Sequence, residues 1–248
     1  MGLGTKRKLN VKPTQAQNTM ILKNTIAIVT GANKGIGLET VNQLLAKGAI
    51  VYGICRGDCP VQNQNFNCIK ANVSNLESLR LSFEGIVSKH GKIDILINNA
   101  GLGYFGFCEE IPIEHWQEMF DTNVTGLFYA TRLVLPSMKK QGVGHIINIS
   151  SIAGLEGYQQ VSAYCATKFA VRGFSEALYK EVRDFGIKVT CIYPGSVKTE
   201  FFRHSETISA HDNMLMPEDV ASQIIFCLET PSNFHNVNVE IRPLKPRG

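Results

Sequence analysis

Three side chains could carry out acid–base chemistry together: Ser151, Tyr164 and Lys168. The tyrosine and lysine are four residues apart, so in a helix they lie on one face, one turn from each other. A free phenol keeps its proton until about pH 10 and is a poor shuttle near neutrality. An ammonium one turn away stabilises the phenolate, as would a positively charged nicotinamide ring. A serine hydroxyl opposite the pair could hydrogen-bond a substrate oxygen and hold it against the phenol. A Tyr-x-x-x-Lys pair also occurs on ordinary amphipathic helices, so the surrounding elements must decide its meaning.

Those elements read as an α/β chain. Residues 145–149 form an apolar run short enough for one buried strand of a parallel sheet; it stops at Ser150 and Ser151. A loop with Gly154 and Gly157 follows, then a helical pattern over about 160–183 that bears Tyr164 and Lys168. Upstream, the strand at 25–30 runs into Gly31, Asn33, Lys34, Gly35, Ile36 and Gly37, and then into a helix. Strand, glycine turn and helix N-terminus make a phosphate cradle, in which free N–H groups and partial positive charge face the anion. The strand at 49–55 ends in Cys55 and Arg56, where nucleotide-binding units that take NAD carry an acid for the ribose hydroxyls. An uncharged residue followed by Arg56, with Lys34 nearby, suits the extra phosphate of NADP(H) over NAD(H), although Asp58 could fold back and blunt the preference.

The link between the second and third strands is short and polar, with Pro60 and no helical period, so the crossover helix is expected to be vestigial or missing. A third strand is expected over 67–73, then Ser74 and Glu77 in capping-box spacing ahead of a helix. A fourth strand over 93–97 leads to Asn98, Asn99, Ala100 and Gly101, whose amides could tie strand ends together and whose small residues leave room for a flat ligand. Asn123 falls inside a long helical stretch, where asparagine is unfavourable unless its side chain finds a partner; a local distortion freeing a backbone carbonyl is the functional alternative. A sixth strand over 188–192 precedes Pro194, Gly195, Val197 and Thr199. Residues 200–216, with Phe201 and Phe202, read as a lid over an apolar pocket. Pro217 opens the last helix, and 237–241 supplies a seventh strand.

Of the 248 residues, 44% are hydrophobic and 19% charged, ordinary for a globular protein, with no membrane-length apolar run and no secretory signal. The formal charge of +4 comes from the N-terminus: residues 1–23 hold Lys6, Arg7, Lys8, Lys12 and Lys23 without an acid, which leaves 20 basic against 21 acidic side chains in the rest. Neither nucleic acid nor a membrane is therefore an expected partner of the body. Residues 1–21 are expected to be a disordered basic extension, and 22–248 a single catalytic domain; a tail-driven binder of polyanions is the other reading of that extension. The seven cysteines lack C-x-x-C pairs and histidines at zinc spacing, which predicts reduced thiols, a cytoplasmic protein and no metal site; His204 and His211 have no carboxylate at ligand spacing.

Taken together, Gly31, Gly35 and Gly37, Asn98 to Gly101, Asn123, Ser151, Tyr164, Lys168, Pro194 and Gly195 resemble the short-chain dehydrogenase/reductase family in order and spacing over about residues 22–248. The resemblance implies a single-domain Rossmann fold, with a seven-stranded parallel sheet in order 3-2-1-4-5-6-7 and helices on both faces. It implies a catalytic tetrad of Asn123, Ser151, Tyr164 and Lys168, Ser151 rather than Ser150 having the family's spacing. It further implies an NADP(H) site lined by Gly31, Asn33, Lys34, Gly35, Ile36, Gly37, Arg56, Asn72, Val73, Asn99, Ala100, Gly101, Tyr164, Lys168, Pro194, Gly195, Val197 and Thr199. Asn123 would support a proton-relay water, and the long helices would build a homodimer or homotetramer. Two departures stand out: Asn72 replaces the aspartate usual after the third strand, and the second crossover helix is missing. The activity implied is hydride transfer between NADPH and a small-molecule carbonyl or alcohol. A 3-oxoacyl-[acyl-carrier-protein] reductase and a non-catalytic NADP(H) sensor are the alternatives.

Overall fold

The computed structural model describes residues 20–202 and 211–245. Most of the N-terminal extension, the middle of the expected lid with His204, and the last three residues lie outside the described residues. Within them, the apolar runs form seven strands: β1 (Ile26–Thr30), β2 (Ile50–Cys55), β3 (Phe66–Lys70), β4 (Ile95–Asn98), β5 (Gly144–Ile149), β6 (Ile187–Pro194) and β7 (Asn238–Ile241). They pair in parallel as one sheet in the order β3-β2-β1-β4-β5-β6-β7.

Both faces of the central strands are buried, and the two-residue period divides them between two cores. Ala27, Val29, Ile95, Ile97, Ile147 and Ile149 point to one face, where helices α1 (Gly35–Ala46) and α6 (Pro217–Leu228) deliver Val41, Leu44, Val220 and Ile224. Ile26, Ile28, Leu96 and Ile146 point to the other. There α2 (Leu76–His90), α4 (Gly126–Gln141) and α5 (Ser162–Val182) supply Leu79, Phe83, Val134, Met138, Leu178 and Val182. Each such side chain stabilises the fold by roughly 1.5–3 kcal/mol. Among the described residues, no helix is long and apolar enough to cross a membrane.

Because β1 lies between β2 and β4, the chain turns in opposite directions on leaving β1 and β4. A crevice opens there, outside the carboxyl ends of the strands. Every segment singled out for chemistry follows one of those ends. No helix joins β2 to β3, so β3 forms a half-exposed sheet edge. The capping box expected at Ser74 is replaced: Asn75 caps α2, its Oδ1 accepting from Ser78 N at 2.9 Å, while Glu77 pairs with Arg80. Asn72 holds the preceding turn instead, accepting from Ser74 N at 3.2 Å. A hydrogen-bonding side chain one residue closer to the helix wins the cap.

Candidate active site

β5 ends at Ile149, and the two serines after it divide the work. Ser150 is buried and donates to the Lys168 carbonyl at 3.1 Å, packed so closely under Gly154 that a Cβ there would lie 2.5 Å from its Oγ. Ser151 opens a short helical turn, Ile152–Gly154, and its Oγ accepts from Ala153 N at 3.1 Å. Tyr164 and Lys168 sit in the first two turns of α5, both in contact with the same cleft although only 8% and 5% exposed. The Lys168 ammonium donates to the Ile149 carbonyl at 2.9 Å and lies 5.6 Å from the centre of the Tyr164 ring. Burial pushes this lysine down to about 8. Burial likewise pushes the Tyr164 phenol up, well beyond the ordinary tyrosine range, and the hydrogen bond with Ser151 pulls it back in part. The expectation that Lys168 makes the phenol more acidic is therefore not met by the protein alone. Lys168 donates to a strand carbonyl, and desolvation dominates the phenol.

The helix expected around Asn123 is interrupted. α3 (Ile113–Phe120) gives way to one π-helical turn, Asp121–Thr125, before α4 begins. The wider turn carries Asn123, 2% exposed, into the space beneath the β4 loop. Its Oδ1 accepts from Leu102 N at 2.9 Å, and its Nδ2 donates to Leu102 O at 2.9 Å and Thr167 Oγ1 at 3.0 Å. The side chain is thus fully engaged in joining the β4 loop to α5, and it lies behind the cleft wall rather than on it. Gly101 keeps the gap clear: a Cβ there would lie 3.3 Å from Asn123 Oδ1 and 3.7 Å from Lys168 Nζ.

The glycine turn is fixed by the same β4 loop. Thr30 Oγ1 accepts from the N–H groups of Asn99 and Ala100 at 3.1 and 3.0 Å, and Asn99 Nδ2 donates to the carbonyls of Thr30 and Gly31 at 3.0 and 3.1 Å. Gly31 has φ +67° and Gly35 φ +54°, backbone that favours glycine. At Gly37 a Cβ would fall 2.1 Å from Gly31 O, so this residue lets the turn fold onto the helix and lies beneath the cleft, not on its surface. The remaining predicted cofactor residues all line one continuous cleft of about 740 Å³. It runs from Arg56, Asn72 and Val73 past Asn33, Gly35 and Ile36 to Tyr164, with Pro194, Val197 and Thr199 along its rim. At its far end Cys55 closes β2 without a carboxylate. Arg56 is 70% exposed and 3.8 Å from Glu118, and Lys34 is 3.3 Å from Glu200. Such loose exposed pairs are worth little, which leaves both cations available to a phosphate.

Residues 25–208 match the family model described as short chain dehydrogenase. The chain belongs to the short-chain dehydrogenase family. It is 40% identical over 190 residues to the uncharacterized oxidoreductase YusZ of Bacillus subtilis, covering 73% of this chain and 68% of that one. It is 42% identical over 177 residues to a 3-ketodihydrosphingosine reductase of Bacteroides thetaiotaomicron, covering 71% and 65%. A solved structure, ElxO with NADP bound, superposes with a TM-score of 0.80 at 28% identity, covering 89% of this chain and 98% of that one. This short-chain dehydrogenase is accordingly an oxidoreductase on a Rossmann-type scaffold.

Beside the phenol, the dehydrogenase carries an aromatic wall that the motifs did not reveal. Phe105 and Phe201 lie with ring centres 5.8 and 5.6 Å from Tyr164 and 6.2 Å from each other. Val161, Ile152 and Leu102 continue the apolar lining. The signal for Phe105 was available in the loop after β4, where three aromatics fall within residues 104–107 among glycines, but it has no period to expose it. The cysteine spacing likewise gave no sign of a cluster. The fold brings Cys55, Cys59 and Cys68 together, with their sulfurs all within 4.8 Å of one another. Their sequence spacing matches no metal motif, because the β2–β3 register brings Cys68 beside Cys55 while the link after β2 folds Cys59 back onto them.

Proposed function

We propose that this protein is an NADP(H)-dependent reductase of apolar carbonyl compounds, working reversibly as an alcohol dehydrogenase. The observation that carries the reading is the buried Tyr164–Lys168 pair facing Ser151 at one end of a cleft whose other end is cationic. The donor set fits a dinucleotide phosphate: the α1 N-terminus and the glycine turn would take the pyrophosphate, Lys168 the nicotinamide ribose, and Arg56 with Lys34 the 2′-phosphate. When bound, the cofactor supplies or accepts the hydride. The chain's own part is to hold the carbonyl oxygen between the Ser151 hydroxyl and the Tyr164 phenol, to donate a proton from Tyr164 to that oxygen on reduction, and to remove it on oxidation. Asn123 serves as a positioning residue that fixes the β4 loop against α5. Water is kept from the reacting end by Phe105 and Phe201.

A narrower reading assigns long-chain 3-oxo compounds as the substrates. The aromatic wall supports it, as does the likeness to a 3-ketodihydrosphingosine reductase. The experiment is a screen of NADPH oxidation against short ketones, aldehydes, quinones, 3-oxoacyl thioesters and long-chain 3-oxo amines. Turnover with apolar ketones is expected, with KM falling as the chain lengthens. NADPH binding without turnover of any carbonyl would support the sensor reading instead.

A further inference from the structure

We propose that Cys55, Cys59 and Cys68 form a three-thiolate site for a soft monovalent cation of the copper(I) class. Nothing in the dehydrogenase chemistry uses these residues as a group, and the inference does not depend on the identity of the cofactor. Cys55 closes β2, and Cys68 lies on the adjacent parallel strand β3, where it pairs with Gly53. Cys55 and Gly53 are two apart on one strand, so the two cysteines present their sulfurs on one face of the sheet. Cys59 comes from the helix-free link after β2, which folds back over the strand end. The Cys55 sulfur is 3.2 Å from that of Cys59 and 3.8 Å from that of Cys68. All seven cysteines are free thiols.

The composition of the cluster selects the ligand. It offers three sulfurs and no imidazole, the soft donor set that favours copper(I) over hard cations. Structural zinc sites are closed by four ligands, whereas three sulfurs this close suit a trigonal cation. Burial raises the Cys55 and Cys59 thiols, so the protein alone holds them protonated. Binding therefore replaces three S–H bonds by three S–metal bonds and releases three protons to solvent, with no change of oxidation state. The product carries net charge −2. Lys70, two residues beyond Cys68 on β3 and 2.6 Å from Asp58, is a cation near the site that could offset part of it.

The test is an anaerobic titration of the full-length reduced protein with copper(I) against a chromogenic chelator, combined with X-ray absorption at the copper edge. One copper per chain with three sulfur neighbours is expected. Cys68→Ser and Cys59→Ser, at an exposed and a half-buried position, should each weaken binding by about 100-fold. Cys108→Ser, at an exposed thiol outside the cluster, should leave binding unchanged. Failure of the wild-type protein to compete for copper, a two-sulfur copper environment, or wild-type affinity in either the Cys68→Ser or the Cys59→Ser protein would each overturn the proposal. The absorption spectrum of the wild-type protein decides the matter without any variant.

Discussion

At the scale of single residues, the site depends on what burial does to two titrating groups. Lys168 stands near 8 in the protein alone because it is desolvated, with a neutral carbonyl, that of Ile149, accepting its hydrogen bond. Ribose hydroxyls that accept from this ammonium, and the phosphates further along the cleft, would favour the charged form, so the lysine should bind its proton more strongly in the complex. The sign follows: at about pH 8.5, NADPH binding takes up a proton, and its affinity falls as the pH rises further. Calorimetry in buffers of different ionisation enthalpy should show this uptake, and Lys168→Met should abolish it. Tyr164 has the opposite need. Reduction requires the phenol and oxidation the phenolate, so the oxidative rate should climb with pH while the reductive rate declines. At the other end of the cleft, Arg56 is the cation to which the proposed function assigns the 2′-phosphate. Arg56→Ala should raise KM for NADPH about 10- to 100-fold, the loss of one charge-assisted contact, and leave KM for NADH nearly unchanged. Equal changes for both would refute the phosphate assignment.

At the scale of elements, the site is a set of strand ends locked together by side-chain amides. Asn99 ties the glycine turn to β4, Asn98 donates to Asn148 of β5 at 2.9 Å, and Asn123 joins the β4 loop to α5 through the π turn. Asn123→Ala would leave the Leu102 N–H and carbonyl without partners inside the protein. Urea denaturation should register a loss of roughly 2–4 kcal/mol; a change below about 0.5 kcal/mol, the level of a neutral surface substitution, would show that the π turn does not depend on this side chain. Much of this was legible beforehand. The central strands announced themselves as short apolar runs because both faces are buried, and the glycine turn because φ +67° at Gly31 favours glycine and the close approach at Gly37 leaves no room for a Cβ. The polar link after β2 correctly signalled a missing helix. What escaped were relationships made by tertiary register: the cap taken by Asn75, the meeting of three cysteines across β2 and β3, and the aromatic wall whose members lie almost a hundred residues apart. The pull of burial on Tyr164 was also hidden, since spacing reveals a neighbour but not the solvent lost around it.

At the scale of the molecule, two cores on either side of one sheet leave helices α4 and α5 with large apolar groups on their outer surfaces. Phe128 and Phe169 are each 42% exposed, and Phe128 packs edge-on against Phe174 at 6.2 Å. We propose that these helices pair with a second copy, in keeping with the homodimer or homotetramer expected from the sequence. Sedimentation equilibrium should give an even number of chains per particle, and Phe169→Glu should reduce it; a wild-type monomer at micromolar concentration would contradict this. The proposed function centres on one event, proton transfer at Tyr164 beside the cleft. Its most direct test is single-turnover NADPH oxidation by Tyr164→Phe, with NADPH affinity measured on the same protein by fluorescence. The account predicts a turnover rate at least about 100-fold lower with affinity essentially retained. Undiminished turnover in that protein would contradict it.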